Sequence, residues 1–185
     1  ADRDCPFEDF VRWKPTGLYN AMLAPCFPYA VRAVLWYQGE SNTGDYAMRY
    51  GDELKAMIEL WRGKWHQPDM PFLIVQLPKF GIDAIEDGGW PLIREQEWRV
   101  ADELEHVAAV VTLDAGESND LHPHDKKTIA DRAFNVAMDL VYGQQAQPQP
   151  VVETAEADDG LLRMHCVWRN SMGEQMRSQN RHLMT

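Results

Sequence analysis

Two short polar segments carry residue types able to perform acyl-transfer chemistry. NDLHP at 119–123 sets Asp120 two residues before His122. In such a pair the imidazole can take a proton from a hydroxyl nucleophile while the carboxylate fixes its tautomer through the other ring nitrogen. QGESN at 38–42 offers the Gln38 amide and backbone N–H groups around Gly39 to a developing oxyanion. Glu40 reads as a residue that positions loop donors rather than as an acid. The two segments thus divide a hydrolase's labour between base and oxyanion support. Plainer roles exist for each: His122, or equally His124, can steady the start of a helix, and Gln38 can cap a strand end.

The nucleophile is the missing part. Ser41 lies in GESNTG, which departs from the G-x-S-x-G elbow because Thr43 occupies the second Gly position. It reads first as a loop serine and only secondarily as a nucleophile. Ser118 shares the loop of His122 and has no elbow of its own. No HExxH or other recognised ligand spacing accompanies these residues, so no metal is expected. Trp36, Trp61, Trp65 and Trp90 read as core and helix-packing residues, although Trp90 follows Gly88-Gly89 and could meet a ligand.

The elements that must position these loops are legible in the hydropathy pattern. VRAVLWY at 31–37, FLIVQL at 72–77 and VAAVVTL at 107–113 are near-continuous apolar runs, the pattern of strands buried on both faces of a parallel sheet. A helix is predicted over roughly 46–62, with Tyr50, Leu54, Met57, Ile58 and Trp61 on one face, stopped by Pro68 and Pro71. A second opens after Gly88-Gly89 with Pro91 in its first turn and Ile93, Glu97, Val100 and Leu104 at helical spacing. Glu97 breaks that apolar stripe, so Trp98 is expected to share its burial. A third follows Asp125 as N-cap, with Ile129, Ala133, Val136, Ala137 and Leu140 inward and Gly143 as the stop.

The order β-α-β-α-β-α implies an α/β fold with right-handed crossovers. Both polar loops follow strands, at the carboxyl end of the sheet where ligands collect. Three strands make a small sheet, so further strands are expected to precede residue 1. Residues 1–30 have loop character, with a possible short helix at 18–23. After Gly143, QQAQPQPVVETAEADDG reads as a linker, LLRMHCVW at 161–168 as a strand, and 169–185 as aperiodic.

Composition narrows the function classes. Among 185 residues, 45% are hydrophobic, enough for a folded core. A formal net charge of −11 argues against nucleic acid as a partner, since phosphate binding needs clustered Lys and Arg. No apolar run approaches the roughly 18 residues of a membrane span, and ADRDCPFEDF does not resemble a signal peptide. Cys5, Cys26 and Cys166 form no ligand or redox spacing, so buried or unpaired thiols are expected.

The run PTGLYNAMLAPCFPYAVRAVLWYQGESN, followed by PFLIVQLPKF, LIREQEW and NDLHPHDKKTIADRA, resembles the sialate O-acetylesterase family of SGNH hydrolases over about residues 15–143. The resemblance implies a flavodoxin-like three-layer fold for 1–146, with a truncated β-rich segment over 147–185. It also implies a serine esterase that removes acetyl groups from sugar hydroxyls, especially those of sialic acids, without metal or organic cofactor. Asp120 and His122 would be the catalytic pair, and Gln38, Gly39 and Glu40 the oxyanion loop. The family's serine lies in an early G-Q-S-N segment that has no counterpart here. The chain is therefore expected to be the carboxyl-terminal part of a larger esterase, either truncated or paired with a separate amino-terminal polypeptide, and inactive alone. The resemblance implies a secreted, periplasmic or lysosomal location. The rival expectations are an acetyl xylan esterase with the same machinery and a non-catalytic carbohydrate-binding or assembly fragment.

Overall fold

The computed structural model describes residues 14–81, 89–144, 149–158 and 161–169. Cys5 and the stretches 1–13, 145–148 and 170–185 lie outside the described residues, as does Gly88. The three apolar runs form one parallel sheet of β1 (Val34–Trp36), β2 (Phe72–Val75) and β3 (Val107–Val110), in the order β1-β2-β3. Its register pairs Val34 with Phe72 and Phe72 with Val107.

Because side chains alternate across a strand, β2 feeds two cores. Phe72 and Ile74 point into one that α1 (Tyr50–Lys64) and α2 (Gly89–Glu103) complete with Leu54, Ile58, Ile93 and Val100. Leu73 and Val75 point into the other, where Ile129, Ala133 and Val136 of α3 (Lys126–Leu140) cover them. Helices on both faces of a parallel sheet make three layers.

The expected double-sided burial holds for β2 and fails for β1, where Leu35 is 58% exposed. Leu35 sits opposite buried Leu73 on a strand with a partner on one side only. That edge leaves both the Leu35 side chain and the outer backbone groups of β1 without cover among the described residues.

The third helix follows its predicted caps. Asp125 Oδ1 accepts the Thr128 N–H at 3.0 Å and opens α3, and Gly143 beyond its end has φ 61°. The first helix starts later than expected, because residues 44–49 form a tighter 3₁₀ turn that feeds into Tyr50. Trp61 stacks edge-on against Trp36 at 6.0 Å, as core packing requires. Trp90 is core as well: it is buried and donates Nε1–H to the Pro78 carbonyl at 2.7 Å. A short π-turn and a 3₁₀ turn cover Tyr19–Cys26, and Cys26 is an exposed free thiol.

One segment departs from the linker reading. β4 (Gln149–Asp158) pairs antiparallel with β5 (Leu161–Arg169), with a register shift between Val152 and Thr154. Gln, Pro and acidic residues suggested a linker, but Val151, Val152 and Thr154 are β-branched and favour extended backbone.

Candidate functional site

The Gln38–Asn42 segment leaves the carboxyl end of β1 and closes at once into a 3₁₀ turn over Glu40–Asn42. Gly39 turns the chain with φ 157° and ψ −15°, a conformation that glycine holds without strain. The turn is stapled from within. The Gln38 amide donates Nε2–H to Asn42 Oδ1 at 2.7 Å, the Asn42 N–H donates to the Gly39 carbonyl at 2.9 Å, and the Gly39 N–H donates to Glu40 Oε2 at 3.0 Å. Glu40 thus occupies the Gly39 donor from within the turn. An amide carries two N–H bonds, and among the described residues only the one to Asn42 has a partner.

Tyr50, at the start of α1, ties this loop to the strand beneath it. Its hydroxyl accepts from Trp36 Nε1 at 3.1 Å and donates to the Gln38 carbonyl at 2.6 Å. Burial pushes the phenol well above its ordinary pKa, so it stays protonated and remains a donor.

The loop after β3 is held by different means. Arg132 reaches up from α3 and grips Asp114 with two hydrogen bonds, of 2.5 and 2.7 Å, while also capping the Val111 carbonyl at 3.0 Å. This fork holds the Asp114 carboxyl down at about 2. Further along, Glu117 and Asp120 form an isolated bridge, and Glu117 Oε1 accepts the His124 N–H at 2.7 Å.

Gly116 lets this loop approach the one after β2. A Cβ placed there would stand 1.9 Å from the Lys79 carbonyl oxygen, a backbone atom unable to retreat. Gly116→Ala is therefore expected to lower stability by about 1–3 kcal/mol. Gly63→Ala, on α1 with open space around it, serves as the comparison and should be neutral or better. The shift in denaturant midpoint checks both.

Asp120 and His122 sit in this turn, but not in the expected contact. Asp120 Oδ1 accepts the backbone N–H of His122 at 2.7 Å, while Oδ2 lies 3.4 Å from Nε2 of His124. No hydrogen bond reaches the His122 ring among the described residues, and that residue is exposed. The sequence order Asp-x-His-Pro-His thus brings one carboxylate within reach of both histidines. Ser41 is exposed in the Glu40–Asn42 turn, and among the described residues no hydrogen bond joins it to either histidine.

One contact links the residues that flank the two loops. Lys126 Nζ, at the start of α3, stands 5.7 Å from the centroid of the Tyr37 ring. The residue preceding Gln38 and the residue four beyond His122 are therefore neighbours at the carboxyl end of the sheet. Glu117, Asp120 and His124 also offer donor atoms within 4.8 Å of one another, as a cation site would. The backbone N–H groups already held by both carboxylates account for them equally as a turn-forming set, with His124 exposed at its edge.

A family of carbohydrate esterases described as sialic acid-specific acetylesterases matches residues 8–134. The chain belongs to this carbohydrate esterase family. It is 30% identical to mouse sialate O-acetylesterase over 192 residues, covering 88% of this chain and 35% of the relative. It is likewise 30% identical to the human sialate O-acetylesterase over 174 residues, covering 82% and 33%. It therefore spans about a third of the length of these relatives.

Among solved structures, a carbohydrate acetylesterase from Xanthomonas citri superposes with a TM-score of 0.72 at 33% identity, over 86% of this chain and 37% of that one. The α/β architecture is accordingly of the SGNH esterase type. An Arabidopsis thaliana protein at 19% identity shares the fold, with a TM-score of 0.52 over 75% of this chain and 57% of that one. No helix among the described residues is long and apolar enough to cross a membrane.

Sequence reading missed the Tyr50 tether and the Arg132–Asp114 fork. Both join residues far apart in sequence, Tyr50 to Gln38 across 12 positions and Arg132 to Asp114 across 18. Tyr50 reads simply as one member of an apolar helical face. Nothing in local spacing marks its hydroxyl as the link to the loop.

Proposed function

We propose that this chain supplies the base and oxyanion loops of a carbohydrate O-acetylesterase acting on acetylated sugar hydroxyls, with O-acetylated sialic acids as substrate. The observation that carries the reading is the Lys126–Tyr37 contact, which supports the Gln38 and His122 loops facing one site in a chain of this esterase family. The nucleophilic serine comes from a segment outside these residues, in the same polypeptide or in a separate amino-terminal one. The open edge of β1 with exposed Leu35 is compatible with strands from such a segment.

In this mechanism the serine oxygen bonds to the acetyl carbon as His122 takes the hydroxyl proton. Asp120, two residues before His122, turns from the His122 backbone to its ring as substrate tightens the turn; catalytic hydrogen bonds are often loose before substrate arrives. The remaining Gln38 N–H stabilises the tetrahedral oxyanion. Collapse breaks the bond to the sugar oxygen, which receives the proton from His122. Water, deprotonated by the same His122, then attacks the acetyl-serine; the bond from the acetyl carbon to the serine oxygen breaks, that oxygen takes the proton back from His122, and acetate leaves.

The test is acetate release by the complete esterase, this chain together with the serine-bearing segment, from O-acetylated sialic acid and from acetylated xylan. A higher kcat/KM on the sialic acid ester is expected. Preference for xylan would make the enzyme an acetyl xylan esterase. Sugar binding without acetate release, and no serine labelled by a fluorophosphonate, would leave a non-catalytic module.

A further inference from the structure

Glu97 lies in the middle of α2 with no exposed surface. Its Oε2 accepts the Leu77 N–H at 3.0 Å, just beyond the end of β2. Its Oε1 is buried and has no hydrogen-bond partner among the described residues. That oxygen is aimed at the loop described above: a Cβ on Gly39 would stand 3.3 Å from it and 2.8 Å from the Cγ2 of Ile93. Gly39 therefore rests directly on this carboxyl. No ion pair holds Glu97 among the described residues, and an unpaired buried charge is far less favourable than a neutral acid.

We propose that Glu97 is a positioning residue of the esterase site: as a neutral acid it forms the floor beneath Gly39, holding the Gln38 amide in place, and its ionisation impairs oxyanion stabilisation. The proposal rests on reading Gln38–Glu40 as the oxyanion loop. The groups that face Glu97 are Glu40 from that loop, Tyr37 from the end of β1, Tyr50 from α1 and Arg94 from its own helix. Desolvation lifts the Glu97 pKa to about 8 and Glu40 adds to the rise, while the Leu77 N–H and Arg94 oppose it. Both tyrosines are shifted upward and stay neutral, so none of these neighbours except Arg94 offsets a second negative charge. Ionised Glu97 would sit beneath the loop beside Glu40, repelling both its carboxylate and the oxyanion. Loss of one oxyanion donor typically lowers kcat by on the order of 10²–10³.

The experiment compares kcat–pH profiles of wild type, Glu97→Gln and Gln38→Ala in the complete esterase. Wild-type kcat is expected to fall about tenfold per pH unit above about 8, at nearly constant KM. Glu97→Gln, which keeps an uncharged side chain of the same shape, should retain neutral-pH kcat within a few-fold and lose that alkaline limb. Gln38→Ala should lose kcat at every pH. An unchanged limb in Glu97→Gln, with Gln38→Ala impaired, overturns the role of Glu97 alone. Full activity in Gln38→Ala overturns the oxyanion-loop reading and the proposal with it. Carboxyl ¹³C titration of the wild-type enzyme is the second measure, independent of any variant's folding: a Glu97 midpoint matching the limb supports the proposal, and one near 4–5 overturns it.

Discussion

His122→Ala in the complete esterase is expected to lower kcat on acetyl esters by on the order of 10⁴-fold or more, with KM changed only a few-fold. A base acting only in the transition state affects kcat rather than ground-state binding. The structure makes the matching variant informative, because Asp120 touches the backbone of His122 and approaches the ring of His124. His124→Ala should therefore keep most of the activity while freeing Asp120 Oδ2. Asp120→Asn should fall between the two, having lost the charge that stabilises an imidazolium. Acetate release at saturating substrate measures all three. The reverse order, with His124→Ala the inactive variant, would move the base by two residues and leave His122 as part of the turn.

How far the sequence foretold this arrangement depends on the range of the interactions involved. Strand β2 was legible because four consecutive apolar residues can be buried only between two layers. The capping of α3 was legible because Asp125 and Thr128 are three residues apart and satisfy each other locally. Leu35 was misread for the opposite reason: its burial depends on what lies beside β1, and no pattern within β1 records that. The hairpin at 149–169 was half-read because composition outweighed β-branching in its first strand.

The candidate site was legible as residue types and not in its contacts. Asp-x-His and Gln-Gly-Glu stand out as residue types at the ends of strands. The rotamer that turns Asp120 toward one histidine or the other does not follow from their spacing. Glu97 illustrates the limit best. As the one charged residue on an apolar stripe it looked like an imperfection to be shared with Trp98, yet Trp98 is 36% exposed and Glu97 is wholly buried. A polar residue on a buried face marks a site only when something on a neighbouring element meets it, and here that is the Leu77 N–H and the Gly39 backbone.

That burial has a consequence for stability that does not depend on catalysis. The Glu97 pKa rises from 4.5 to about 8 on folding, so between these values the folded chain holds a proton that the unfolded chain has released. Stability must then fall as pH rises, by about 1.4 kcal/mol per unit, with the contribution intact below 4.5 and fully lost above about 8. Asp114 acts in the opposite sense, its stabilisation disappearing as pH drops toward 2, and so does not mask the effect near neutrality. Denaturant midpoints of wild type are accordingly expected to decline from pH 5 to pH 8, and those of Glu97→Gln to vary much less over the same range. Glu97→Leu separates charge from hydrogen bonding: it has no ionisation to suffer, but it strands the Leu77 N–H, which costs about 1–3 kcal/mol at every pH. A wild-type midpoint as flat as that of Glu97→Gln would mean that the carboxyl is solvated or paired in solution and carries its charge within the fold.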